Sequence, residues 1–284
     1  MDSELKRAVS IVGELPTIPS IASKIMTTAA DPNASAEDLR QILEQDPSLA
    51  ARVLKVANSS LYGFRREVET LRHAVTLLGF KTVESLVMAA SLRDTFKQFG
   101  LAEKMLWEHS TFAGVTAAKL SKYRDLGVDR ESAFTAGLLH DLGKIAFMNV
   151  FRERYQKVVL RTYNEGIAAV DAERAEFGFD HALLGAQVAK KWNLPEPLVA
   201  AIRYHHHTPA EYTTLAPEQQ RLISLTSVVT RVCTRLGLGR RGIVDAIDMT
   251  ALPAWGALGL TQADVDPVLQ AVSSEAQAAR GLFG

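Results

Sequence analysis

The side chains best placed to do chemistry together lie in Gly137-Leu138-Leu139-His140-Asp141-Leu142-Gly143-Lys144, where an imidazole and a carboxylate follow an apolar run and a lysine comes about one helical turn later. On one continuous helix His140 and Asp141 point about 100° apart, so both can hold an ion placed between them, with Lys144 along the face of His140. Imidazole with carboxylate suits Zn, Fe or Mn. The dipeptide alone fits a capped helix end with a solvated histidine equally well. The remaining histidines answer to the pair, however. His109 stands in Trp107-Glu108-His109-Ser110, His181 follows Asp180, and His205, His206 and His207 follow Tyr204, so six of the seven histidines fall in four places. Donors contributed by several helices in this way are how bundles assemble metal sites.

Each of these residues also has a plainer reading. His109 and His181 fit core histidines bonded to carbonyls or carboxylates, and Asp180 fits the N-cap of the helix after it. The triplet His205 to His207 fits a wet helix end, where cationic imidazoles suit the dipole. Lys144 fits a surface salt bridge. His73 belongs to no pattern and is read as structural.

The elements that must position these groups read as helices throughout. Leu15-Pro16-Thr17-Ile18-Pro19 is an extended opening, because a residue before proline is pushed out of the helical region. Ile18, Ile21, Ala22, Ile25 and Met26 then recur at helical spacing. Ser35 to Asp38 resembles a capping box, with Asp in place of Glu, and Asp46-Pro47 is a second helix start. Leu49, Val53, Leu54 and Ala57 form the next stripe, and Asn58-Ser59-Ser60-Leu61-Tyr62-Gly63 breaks it as a loop whose side chains bind backbone. Helical spacing resumes through Leu71, Ala74, Val75 and Leu78, pauses at Gly79-Phe80, and continues through Val83, Leu86, Val87 and Ala90. Further on, Leu222, Leu225, Val228, Val229 and Val232 mark a helix that ends in a turn at Gly237-Leu238-Gly239. Gly242 to Ile247 reads as a short helix and Asp264 to Ala279 as a terminal one.

Composition bounds the classes. The chain has 284 residues, 47% hydrophobic and 23% charged, as expected of a globular protein with its own core. Lys and Arg number 32, as do Asp and Glu, so bulk charge gives no case for nucleic acid or an acidic membrane. The one cysteine, Cys233, excludes an internal disulfide and sits in an apolar run, where it reads as packing. The charged N-terminus (Asp2, Glu4, Lys6, Arg7) does not read as a signal peptide, so none is expected, and Pro253, Gly256 and Gly259 interrupt the uncharged run from Met249 to Ala263. No membrane span is expected, and the cytoplasm is the expected compartment.

In order along the chain, Leu15-Pro16, Asp46-Pro47-Ser48-Leu49, the Asn58-Ser59-Ser60 loop, Leu77-Leu78-Gly79, Trp107 to Ser110, Gly137 to Lys144, Phe177-Gly178-Phe179-Asp180-His181, Lys191-Trp192-Asn193-Leu194-Pro195 and Tyr204-His205-His206 resemble the motifs of the HDOD family. These are bacterial HD-related output domains, relatives of the HD and HD-GYP metal-dependent phosphohydrolases. The resemblance covers about residues 11–210. It implies an all-α fold, with an N-terminal helical subdomain (about 11–100) packed on a divergent HD-type helical core (about 101–210). The helices of 211–284 complete that core.

The resemblance also implies roles. His109, His140 and Asp141 match one metal site, Asp141 bridges to a second ion held by His181, His205 and His206, and Lys144 matches a phosphate-contacting lysine. The implied cofactor is a divalent metal (Fe, Mn, Zn or Ni). Two departures weaken this. The aspartate that closes the first site in HD enzymes aligns with Thr230, in Thr226-Ser227-Val228-Val229-Thr230-Arg231, and an inward Arg231 would further disfavour a dication. His207-Thr208-Pro209 also lacks the Gly-Tyr-Pro signature of cyclic-di-GMP phosphodiesterases. The favoured expectation is a non-catalytic bacterial signalling protein that acts through protein partners and keeps a degenerate metal site. The alternative is a metal-dependent phosphohydrolase on a nucleotide or cyclic dinucleotide, with Lys144 and Asp141 as catalytic candidates. Nucleic-acid binding through Arg65-Arg66 or Arg240-Arg241 is the weakest reading.

Overall fold

Local chemistry starts the first helices. The Ser35 amide donates to Asp38 Oδ2 (2.8 Å) and the Asp38 amide to Ser35 Oγ (3.3 Å), a reciprocal cap. Asp46 Oδ1 accepts from the Leu49 amide (3.1 Å), opening a helix whose first residue is Pro47. Asn58 then closes that helix on the return of the chain, donating to Val68 O (2.9 Å) and accepting from Val68 N (2.7 Å). The computed structural model describes residues 5–6, 20–29, 31–58, 67–94, 100–239, 244 and 247–279. Leu15 to Pro19, Ser59 to Gly63, Arg65-Arg66 and Arg240-Arg241 lie outside them. Most of the short helix expected over Gly242 to Ile247 does too, and its described members, Val244 and Ile247, are not helical.

The described regular structure is helical, with no strand, as expected of an all-α chain. The N-terminal helices are α1 (Ser20–Ala29), α2 (Ala36–Leu43), α3 (Pro47–Ala57), α4 (Leu71–Leu78) and α5 (Phe80–Asp94). They are followed by α6 (Leu101–Leu120), α7 (Arg130–Leu139), α8 (Leu142–Val150), α9 (Arg152–Asn164) and α10 (Ala169–Phe177). The chain ends with α11 (His181–Lys191), α12 (Glu196–Tyr204), α13 (Pro217–Arg235), α14 (Pro253–Ala257) and α15 (Val265–Ala279). No described helix is long and apolar enough to cross a membrane.

One apolar core runs from Ile25, Leu39, Val53 and Val75 through Phe112 and Phe134 to Val229, Trp255 and Val268, so the N-terminal helices share it with α6, α7, α13 and α15. A second gathers α8 to α12 around Phe147, Tyr155, Phe177, Phe179, Leu184 and Ile202. In it Phe147 stacks on Tyr155 (5.1 Å between centroids, 8° between planes) and on Phe179 (5.4 Å, 15°).

Two backbone approaches bring the histidine-bearing helices together. A Cβ on Gly137 would stand 2.5 Å from Ala113 O, so α6 and α7 touch there, one turn from His109 and from His140. A Cβ on Gly143 would stand 2.0 Å from His181 O, so the start of α8 lies directly on the start of α11. Contacts this close exclude any side chain at either glycine without moving a helix.

Candidate metal centre

His140 and Asp141 are not on one helix. His140 is the C-cap of α7 and Asp141 (φ −94°, ψ 16°) the N-cap of α8, so the pair occupies the break between two helices. The break turns the two side chains into the same buried space. His140 is 0% and Asp141 1% exposed.

The carboxylate stands between two groups of imidazoles. Asp141 Oδ2 lies 3.4 Å from His140 Nε2 and 3.9 Å from His109 Nε2, while Oδ1 lies 3.2 Å from His181 Nε2 and 4.0 Å from His205 Nε2. His181 Nε2 is 3.0 Å from His206 Nε2 and 3.3 Å from His205 Nε2. His109, His140 and Asp141 thus form one set of mutually close donors, and His181, His205 and His206 another. The solvated helix end read for the triplet does not hold for His205, which is buried; His206 and His207 are half-buried.

The outward nitrogens of His109, His140, His205 and His181 are anchored. Nδ1 of His109 meets Leu238 O (3.1 Å), Nδ1 of His140 meets Gly137 O (2.7 Å), and Nδ1 of His205 meets Ile202 O (2.8 Å). A ring nitrogen facing a carbonyl carries the proton, which leaves Nε2 as a lone pair aimed inward, the orientation metal-ligating histidines show. His181 has a stronger anchor. Its Nδ1 and its amide both donate to Glu173 Oε2 (2.6 and 2.8 Å), and the Tyr155 hydroxyl donates to Glu173 Oε1 (2.8 Å). Asp180 caps α11 by accepting from the Leu183 amide (2.8 Å), and it pairs with Arg174 (2.6 Å), so the plainer reading of Asp180 describes its place.

Electrostatics point the same way. Burial, against the pull of Asp141, lowers the His109 pKa to about 4. Burial and then neighbouring imidazoles hold His205 and His206 well below the ordinary histidine value. Burial also opposes charge on His181, but Glu173 outweighs it and raises that pKa to about 9. Burial would raise the Asp141 pKa, yet His140 and Lys144 carry it well below the usual carboxylate range. The cage therefore keeps His109, His205 and His206 neutral beside an ionised Asp141.

A divalent cation fits this donor set. Ligand atoms at about 2.0–2.1 Å from a tetrahedral Zn²⁺ lie roughly 3.3 Å apart. The separations of His181 Nε2 from His206, His205 and Asp141 Oδ1 are 3.0, 3.3 and 3.2 Å. In addition, Asp141 Oδ1 and His140 Nε2 are buried without a hydrogen-bond partner among the described residues, a cost few proteins carry without a use for it. His181, His205, His206 and Asp141 would hold an ion on one side, and His109, His140 and Asp141 on the other.

The match covers residues 15–208 with the HDOD domain. The chain belongs to the HDOD family. An HDOD domain protein of unknown function from Geobacter sulfurreducens has a solved structure 29% identical to this chain, with a TM-score of 0.77 over 99% of this chain and 98% of its own. A protein from Marinobacter aquaeolei named for a proposed role in signal transduction is 25% identical, with a TM-score of 0.69 over 95% of this chain and 60% of its own. A proposed phosphohydrolase from Shewanella amazonensis, 21% identical with a TM-score of 0.74, shares the fold. An uncharacterised protein of Treponema pallidum is 28% identical over 218 residues, which make up 74% of this chain and 42% of that protein. The chain thus spans less than half the length of that curated relative.

Against the HDOD pattern, three sequence-based readings change. Thr230 spends its hydroxyl on Thr226 O (2.9 Å) within its own helix, and the contact of this segment with His109 is made by the Leu238 carbonyl beyond the helix end. Arg231 is exposed and so does not burden the cage; the cation beside the HDOD carboxylate is Lys144, with Nζ 2.8 Å from Asp141 Oδ2. This is a salt bridge to a buried partner, not a surface pair. His73 is exposed on α4, apart from either donor group.

Glu173 was not singled out in the sequence. The signal was an acid at i+3 from Val170 and i−4 from Phe177, a position the apolar stripe of α10 turns inward. Replacing it with Gln should weaken divalent metal binding by about 10–100-fold, the usual effect of losing an outer partner of a ligating histidine. Competition against a fluorescent chelator reads this directly; unchanged affinity would remove Glu173 from the centre.

Proposed function

We propose that this HDOD protein is a signalling output module that acts through protein partners, and that its metal centre serves structure or regulation instead of turnover. The observation that supports this reading is that His181, His205 and His206 lie together beside Asp141 Oδ1, 3.2 Å from His181 Nε2 and 4.0 Å from His205 Nε2, with Asp141 the sole carboxylate of either donor set among the described residues. Closed four-donor sites are structural, whereas catalytic ones keep a position open for water or substrate. A bound divalent ion would supply Lewis acidity and, given an open position, an activated water. Asp141 is too deeply buried to meet a phosphoester directly, and Lys144 is engaged with it.

The rest of the chain gives the centre something to report to. In this reading residues 11–100 form the partner-facing subdomain, and 101–210 with the helices of 211–284 form the HD-like core. Helix α7 ends on His140, and five residues earlier its Thr135 hydroxyl meets the Ser85 hydroxyl of α5 in a buried contact. A shift at His140 is thereby passed to the N-terminal helices through one rigid element. The Marinobacter relative's name supports a signalling role.

A second reading, a metal-dependent phosphohydrolase, is favoured by the partial exposure of the Lys144 side chain, 20%, which leaves the ammonium within reach of an anion. The test is an assay of protein loaded with Mn²⁺, Fe²⁺ or Zn²⁺ against a phosphomonoester, a phosphodiester and a cyclic dinucleotide. No turnover above that of His140→Ala is expected. A rate that vanishes in His140→Ala would replace the signalling reading with the hydrolase.

A further inference from the structure

We infer that Lys144 is a built-in counter-ion that closes one half of the cage, so that the chain takes one divalent cation, at His181, His205, His206 and Asp141 Oδ1, and not two. The inference rests on the metal-centre reading above and specifies its stoichiometry. Its basis is the asymmetry of Asp141. Oδ2 already carries a cation, Lys144 Nζ at 2.8 Å, and stands further from its imidazoles, at 3.4 and 3.9 Å. Oδ1 has no hydrogen-bond partner among the described residues and lies 3.2 Å from His181 Nε2. An ion on Oδ2 would share that oxygen with an ammonium; an ion on Oδ1 would not.

The surroundings repeat the asymmetry. Behind His181 stands the buried carboxylate of Glu173, whereas His109 and His140 are backed by the neutral carbonyls of Leu238 and Gly137. Only one half therefore has a second negative charge to offset a dication. Geometry agrees, because the three separations at His181 already match those between ligands of a tetrahedral ion.

The test is titration of the full chain with Zn²⁺ in chelator-free buffer, with bound metal counted per chain after gel filtration. Wild type should retain one ion, Lys144→Met two, and Lys144→Arg one, because the charge is kept. His109→Ala should leave the wild-type count at one, and His206→Ala should lower retention sharply. Two ions on the wild type, or a Lys144→Met protein that melts cooperatively yet still holds one, would overturn the inference. Loss of the ion in His109→Ala with retention in His206→Ala would also overturn it by assigning the wrong half. No Zn²⁺ on any of these proteins would overturn the metal-centre reading itself, while the role in turnover is decided separately by the His140→Ala comparison.

Discussion

Asp141→Asn should strip the protein of bound metal. The substitution keeps the shape of the side chain and removes its charge, yet it takes away the sole carboxylate among the described residues that faces both groups of imidazoles. Loss of an outer-shell partner costs about 10–100-fold in metal affinity, so loss of the one anionic ligand should cost at least about 100-fold. The effect on stability should be large too. Lys144 and the His181 imidazolium both lean on this carboxylate, and cutting one partner from a buried charge cluster costs about 3–5 kcal/mol. The lower end, about 3 kcal/mol, is expected here because the Lys144 side chain is partly exposed and regains water. Urea unfolding with a chelator present isolates the stability effect, and metal retention after gel filtration gives the other. Asp141→Asn protein that retains metal as tightly as wild type would exclude the carboxylate from the centre.

Gly143→Ala should be the most damaging change of a single methyl group. The new Cβ would stand 2.0 Å from His181 O and 2.8 Å from Gly185 N, both backbone atoms, so no side-chain rotation relieves the clash. Helix α8 must lift from α11, which separates Asp141 from His181 as well as opening the second core. Overpacking usually costs 1–3 kcal/mol, and a backbone-to-backbone clash places this case at about 3 kcal/mol or above. At roughly 2–4 °C per kcal/mol the melting temperature should fall by about 6–12 °C. Gly256→Ala is the matched control. It lies in α14, a Cβ there meets nothing within 4 Å, and alanine should be neutral or stabilising by about 0.5–1 kcal/mol. Equal melting temperatures for the two variants would mean that α8 and α11 do not approach as described.

What could be read in the sequence was local. Apolar spacing and side-chain caps belong to neighbouring residues, so the stripes around Leu39, Val53, Val75 and Val229, and the caps at Ser35, Asp46 and Asp180, stand out without a fold. The histidines were legible as candidates because little else gathers six of them into four places. The break between His140 and Asp141 was not legible. Leu138 to Leu142 carries no proline or turn signal, and the break stands where α11 approaches Gly143, a tertiary contact that neighbouring residues do not report. The partner of Lys144 was equally hidden. Its spacing allows contact with His140 or with Asp141, and only the structure shows the ammonium on the carboxylate. Glu173 escaped because the stripe of α10 marks its position as inward but says nothing of His181, which arrives from the next helix.

The most direct test of the metal centre is elemental analysis of the full chain purified anaerobically without chelator, beside His181→Ala prepared in the same way. Wild type should carry close to one equivalent of Fe, Mn, Zn or Ni per chain, and His181→Ala a small fraction of that. Wild-type protein that is folded yet carries no more metal than His181→Ala would contradict the metal centre and leave the histidine cage as a packing feature only.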